Sequence, residues 1–255
     1  MKGYLHRPML YGLAGLIAVS GLQAQDPQGK EQGEWIQLFN GRDLTGWTPK
    51  FVGYDLGVNY KNTFHVRDGL LTVCYAKYKQ WHDNFGHLFY KNEFSHYRLR
   101  LEYRFIGDQL ANAPGWAYRN SGVMMHGQSA ATMGKYQQFP VSIEAQLLGG
   151  RPGSKVKRST LDLYTPGTYV CQNQQADKLH HLKSEGPTIH DNQWVSVEIE
   201  VHGGKFVRHK IGGEVVLEYE QPRLDDGTPL EKGTISIQAE SHPVQFRKIE
   251  LQVLK

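Results

Sequence analysis

YRLRLEYRF, residues 97–105, sets an apolar or aromatic side chain at each odd position and a charged one at each even position. Successive side chains of an extended strand point to opposite faces, so a period of two marks a strand with one face buried and the other in water. WVSVEIEV (194–201) and GTISIQA (233–239) repeat that period. Further stretches of the same kind are 63–66, 70–75, 87–90, 117–126, 141–148, 206–211, 215–219 and 245–253. Arg67-Asp68-Gly69, His202-Gly203-Gly204, Ile211-Gly212-Gly213 and Asp225-Asp226-Gly227 supply the turns between them. About eleven short strands joined by Gly-rich hairpins predict an all-β chain, a two-sheet antiparallel β-sandwich, and not an alternation of strands and helices.

Two segments carry no sustained alternation: 106–116 (IGDQLANAPGW) and 149–193, rich in Gly, Pro, Asn, Gln and His. They are expected to be long loops, where scaffolds commonly hold their binding groups. At the other end of the chain, Lys2 and Arg7 precede an apolar run, MLYGLAGLIAVSGL (9–22). It is too short to span a bilayer, which takes about 20 residues, and reads as a cleavable export signal over residues 1–24. Residues 25–34 (QDPQGKEQGE) are expected to be a disordered lead-in. A single domain over 35–255 follows, exported to the periplasm or secreted, with no membrane attachment once the signal is removed.

The charge balance excludes other partners. Losing residues 1–24 removes Lys2 and Arg7 and no acid, lowering the formal charge from +4 to +2. The remaining charges are well mixed, and no basic block argues for nucleic acid. Cys74 and Cys171 are too few for a disulfide scaffold and too far apart for a CxxC site. Neither a GxSxG elbow nor a phosphate-binding Gly loop is present. His180, His181 and His190 have no HxH or HExxH metal spacing.

Strand parity gathers the polar candidates. Asn120, Gly122, Met124 and His126 share one face of their strand, and Ser142, Glu144 and Gln146 share one face of theirs. On the 233–239 strand, Gln238 lies on the polar side, which Glu240 and His242 continue. Should these strands be neighbours, a carboxylate, an imidazole and amides line one surface suited to sugar hydroxyls. Trp47, Trp81, Trp116, Tyr54 and Tyr60 are either platforms for sugar rings or ordinary core anchors. The strand holding Glu144 offers Gln146 at the next position on that face. A two-carboxylate glycosidase would show an acid there.

Five stretches together resemble the 3-keto-disaccharide hydrolase family: WIQLFNGRDLTGW (35–47), RNSGVMMHG (119–127), SIEAQLLGG (142–150), NQWVSVEIEV (192–201) and GTISIQAESHPVQFRKIEL (233–251). The resemblance implies a concanavalin A-like jelly roll and a hydrolase or lyase acting on glycosides oxidised at C3. The ketone acidifies the C2 proton, so a base can remove it, the enolate expels the C1 substituent, and hydration of the glycal completes a net hydrolysis. A divalent metal ion or oriented cationic donors would stabilise the enolate. Carried onto this chain, the resemblance implies Glu144 as a site residue; His126 stands where many relatives have Arg, and Glu144 with His126 is the reading for base or metal ligands. Arg119, Asn120, Gln146, Gln238 and Arg247 would bind substrate. A jelly-roll module that binds carbohydrate without cleaving it is the alternative.

Overall fold

The computed structural model describes residues 33–173 and 175–255; the expected export signal, 1–24, and lead-in residues 25–32 lie outside the described residues. Seventeen strands and no α-helix occur among the described residues. The first six are β1 (Trp35–Gln37), β2 (Trp47–Phe51), β3 (Phe64–Arg67), β4 (Leu70–Val73), β5 (Gly86–Phe94) and β6 (His96–Phe105). Next come β7 (Asn120–Gly127), β8 (Ile143–Leu148), β9 (Asp162–Tyr164), β10 (Thr168–Gln172), β11 (Gln175–Leu179) and β12 (His181–Leu182). The chain closes with β13 (Val195–His202), β14 (Phe206–Ile211), β15 (Glu214–Leu224), β16 (Gly233–Ala239) and β17 (Val244–Val253).

These strands form two antiparallel sheets, the sandwich that the alternation predicts. One has ten strands in the order β11-β10-β15-β14-β13-β6-β17-β4-β3, with β1 added beside β17; the other has seven, β12-β9-β8-β7-β16-β5-β2. Tyr97, Leu99, Leu101, Tyr103 and Phe105 of β6 are all buried between the sheets. They meet Val123 and Met125 of β7, Ile143, Ala145 and Leu147 of β8, and Ile235 and Ile237 of β16 in one continuous core. Segment 149–193 is not one long loop, because it contributes β9 to β12. Those strands have two to five residues each, too few for a period to show. Strand β2 contains Pro49, tolerated because β2 is the last strand of its sheet and owes no second ladder.

Polar residues distinguish the sheets. In β6 burial alternates, as expected of a sheet with one wet face, whereas all eight residues of β7 are buried. The seven-stranded sheet is thus covered on its outward face too, by loops, and that covered face carries the polar candidates. Cys74 and Cys171 are free thiols. No helix among the described residues is long and apolar enough to cross a membrane.

Candidate active site

Register lays out the covered face. Residues directly opposite each other in an antiparallel pair share a face. Phe89 of β5 opposes Ser236 of β16, Ser236 opposes Met124 of β7, and Met124 opposes Glu144 of β8, so the four form one row across four strands. Gly122 opposes Gln146 and Asn120 opposes Leu148, placing both polar side chains on that face. His87 opposes both Gln238 and Lys50. Glu144 lies flat across its neighbouring strand: a Cβ on Gly122 would sit 2.1 Å from Glu144 Oε1 and 2.7 Å from its Cδ. The glycine at this position makes room for the carboxylate.

What sets this face apart is how many buried polar atoms lack a partner in the protein. Asn120 Oδ1, Glu144 Oε1, Ser236 Oγ, Gln238 Oε1, Glu240 Oε2 and both ring nitrogens of His87 and His242 have none. Each such atom costs about 1–3 kcal/mol when left unpaired, so a cluster on one face marks a place built to receive polar groups. Burial pushes the Glu240 carboxyl up to about 8, against the pull of the Arg158 guanidinium. Glu144 is raised well above the carboxylate range by burial and then by the charge of Glu240. Burial, then Arg119 and Arg158, push His242 down to about 4, and burial alone takes His87 to about 3. The face therefore holds two acids that resist ionising and two neutral imidazoles. By contrast Asp162, opposite Gln146, is buried but satisfied by Lys183 Nζ at 2.7 Å and the Ser184 N–H at 2.9 Å. Lys50 is likewise satisfied, donating to the Tyr54 and Phe51 carbonyls.

Loops close the end of the face. Arg158 ties three segments together by donating to the carbonyls of Trp116 (2.6 Å), Gly149 (2.7 Å) and Tyr118. Gln109 Nε2 donates to Ser241 Oγ at 3.1 Å, and the Leu110 N–H to the Ser241 carbonyl at 2.9 Å. The 106–117 segment is thereby bonded to the residue between Glu240 and His242. Tyr118 stands edge-on to His242, with ring centroids 5.1 Å apart.

Of the candidates read from the sequence, the structure brings Asn120, Glu144, Gln146 and Gln238 together. Arg119 is buried beside them, its guanidinium held by the Asp191 carbonyl at 2.9 Å and by Asn192 Oδ1 at 2.8 Å. Two expectations are corrected. His126 does not join Glu144. Between Met124 and Gly127 strand β7 has one residue more than β16, a bulge at which His126 takes a φ of 47°. A bulge re-aims the side chain it carries, and the His126 ring bonds the Gly203 carbonyl in the β13–β14 turn of the other sheet, 3.0 Å away. Arg247 belongs to the ten-stranded sheet, where it pairs with Glu102 and lies 4.1 Å from the Trp194 ring centre. A divalent ion held by Glu144 and His126 does not fit this arrangement. No group of three or more His, Cys, Asp or Glu side chains among the described residues is disposed to hold a metal. His180, His181 and His190 each face a partner of their own chain: the Thr168 carbonyl, Asp162 and the Arg151 carbonyl.

Glu240, His242, His87 and Arg158 complete the site. Parity already placed Glu240 and His242 on the polar side of the β16 strand, but nothing in the sequence said that this side is buried. His87 sits in a mostly apolar run (GHLFY, 86–90), and Arg158 in a segment without a period. Only the fold reveals them.

The solved structures it resembles carry the same architecture. A glycosyl hydrolase-like protein from Parabacteroides distasonis is 18% identical with a TM-score of 0.55, over 88% of this chain and 94% of that one. The kappa-carrageenase of Pseudoalteromonas carrageenovora, in complex with an oligotetrasaccharide of kappa-carrageenan, is 13% identical with a TM-score of 0.52, over 91% and 99%. A galectin-like protein of unknown function from Bacillus subtilis is 12% identical with a TM-score of 0.54, over 89% and 100%. No curated protein matches the chain. The fold is a two-sheet jelly roll, and the family its residues match makes it a carbohydrate-active one. Residues 34–252 match the 3-keto-alpha-glucoside-1,2-lyase-like domain, and the chain belongs to that family.

Proposed function

We propose that this protein cleaves 3-keto-glycosides by removing the C2 proton and eliminating the C1 substituent, followed by hydration. The observation that carries the reading is the pair of buried acids, Glu144 and Glu240, each with an oxygen unpaired in the protein and each reluctant to ionise. Neighbouring carboxyls that resist holding two charges divide into one carboxylate and one acid, which supplies both a proton acceptor and a donor. Glu240 has the Arg158 guanidinium near it and takes the charge first, so it is the base for the C2 proton. Glu144 has no such cation, keeps its proton and gives it to the departing C1 oxygen. The electron pair of the C2–H bond becomes the C1–C2 double bond as the C1–O bond breaks, with the negative charge carried transiently on the C3 oxygen. His242, a neutral imidazole, can donate to that oxygen. The Asn120, Gln146 and Gln238 amides bind hydroxyls. Water then adds across C1=C2 to give the free 3-keto sugar. Residues 1–24, as an export signal, would place this reaction in the periplasm or outside the cell.

A module that only binds sugar would use the same amides. It has no need of two buried acids that resist ionising. The test is cleavage in deuterium oxide of a 3-keto-glucoside and of its unoxidised parent. Elimination and hydration leave deuterium at C2 of the released keto sugar, beyond what free keto sugar acquires alone, and leave the parent intact. Cleavage of both substrates, or release without C2 deuterium, rules the mechanism out. Binding with no cleavage favours the module.

A further inference from the structure

Trp116 is 55% exposed, whereas Trp47 and Trp81 are buried. An exposed indole on a slack loop would mean little, but this one is held at both its backbone and its ring. It lies in a short 3-10 turn, Gly115–Ala117, whose Trp116 carbonyl accepts from Arg158 at 2.6 Å. Arg158 is also the cation acting on Glu240. The preceding Pro114 carbonyl accepts from Gln109 at 2.9 Å, and Gln109 also donates to Ser241 Oγ, next to Glu240. One face of the indole lies nearly parallel to Phe85, with centroids 6.3 Å apart and planes 10° apart. Phe85 packs on Phe139 at 4.8 Å, and Phe139 meets His87 of the covered face at 6.2 Å. The aromatic contacts therefore run without a break from the exposed indole to the acid-bearing face.

We infer that Trp116 is the platform for the leaving group, a second sugar ring joined through the C1 oxygen of the oxidised one. This rests on the proposed reaction, because it takes the oxidised ring to lie on Glu144 and Glu240. A pyranose has a flat face of C–H groups that suits an indole, and an edge of hydroxyls that needs polar neighbours. Arg151, 4.3 Å from the Tyr118 ring centre and close to Gly115, supplies a donor on the same rim. Trp116 thus determines specificity by the size and shape of the leaving group, and takes no part in proton transfer.

The test compares wild type, Trp116→Ala and Trp116→Phe on a 3-keto-disaccharide and on methyl 3-keto-glucoside, which has no second ring. kcat/KM is measured together with calorimetric affinity for the unoxidised disaccharide and methyl glucoside. Trp116→Ala should lower kcat/KM for the disaccharide by about 10-fold, leave the methyl glycoside within about twofold, and weaken disaccharide binding alone, with Trp116→Phe between. Equal losses on both substrates, or no loss on either, overturn the platform. If wild type cleaves neither keto sugar, the proposed reaction fails by itself. The calorimetric difference then still decides whether Trp116 receives a second ring.

Discussion

The outward faces of the two sheets both carry polar side chains on antiparallel strands, yet they treat their acids in opposite ways. On the ten-stranded sheet the acids of its central strands have found cations. Glu102 meets Arg247 and Lys248, Glu250 meets Arg100, and Glu200 meets Lys210 and His202. That face includes a cavity of about 410 Å³ lined by Arg100, Glu102, Lys248 and Glu250, charged but internally balanced. On the seven-stranded sheet the acids are buried under loops with oxygens unpaired, beside imidazoles that have no partners either. Exposed paired charges contribute little to stability, whereas buried polar groups without partners persist where a substrate is to meet them. The contrast separates a solvated surface from a site, and it can be attacked from both sides.

The largest effect should come from the acids. Glu144→Gln and Glu240→Gln should each lower turnover of a 3-keto-glycoside by at least roughly 100-fold, the low end of general acid–base contributions, with ground-state affinity less affected. Glu102→Gln, on the other sheet, should leave turnover within about twofold. Steady-state kinetics on the three variants decides; comparable losses in all of them would dissolve the distinction between the faces.

Gly122→Ala comes next. Its new methyl group would occupy the space of the Glu144 carboxylate. The acid must move, and a displacement of about 1 Å can cost up to about 100-fold, so turnover should fall roughly 10- to 100-fold while the circular dichroism spectrum stays that of the wild type.

The pH dependence is smaller and has two opposed limbs. Glu240, raised from 4.5 to about 8, acts as base only when ionised, so kcat/KM should climb as pH rises toward about 8. Stability runs the other way. A carboxyl raised in the fold contributes fully below its ordinary value and loses that contribution as pH rises through about 8. The imidazoles are depressed, so their contribution is present above 6.5 and is lost as pH falls through about 4 for His242 and about 3 for His87. Thermal unfolding between pH 4 and 9 should show a decline between about 4.5 and about 8 that Glu240→Gln reduces. An unchanged decline in that variant would contradict the burial of Glu240 as an acid.

Smallest of all should be Arg247→Ala. Its pair with Glu102 is partly solvated, so the loss in unfolding free energy should be about 0–1 kcal/mol, with unchanged kcat and KM. A selective rise in KM would return Arg247 to the substrate.

The alternation in 97–105, 194–201 and 233–239 was enough to predict an antiparallel sandwich, because burying one side of a strand leaves a period of two in its sequence. Parity within 120–126, 142–148 and 234–240 also assigned Asn120, Glu144, Gln146 and Gln238 to polar faces, and the fold brings those faces together. Parity holds only while the backbone stays extended and says nothing about which sheet a strand joins. The family resemblance, which implied Arg247, is silent on its strand pairing with β6 in the opposite sheet, and parity fails at His126, where a bulge breaks the alternation. Nor could it mark Glu240 and His242 as buried, or find His87 and Arg158, since burial and missing partners depend on loops that cross the face from 106–117 and 149–160. A strand's own residues determine which side chains share a face. What covers that face, and which polar groups go unpartnered on it, is decided by segments remote in sequence and only when the whole chain has packed.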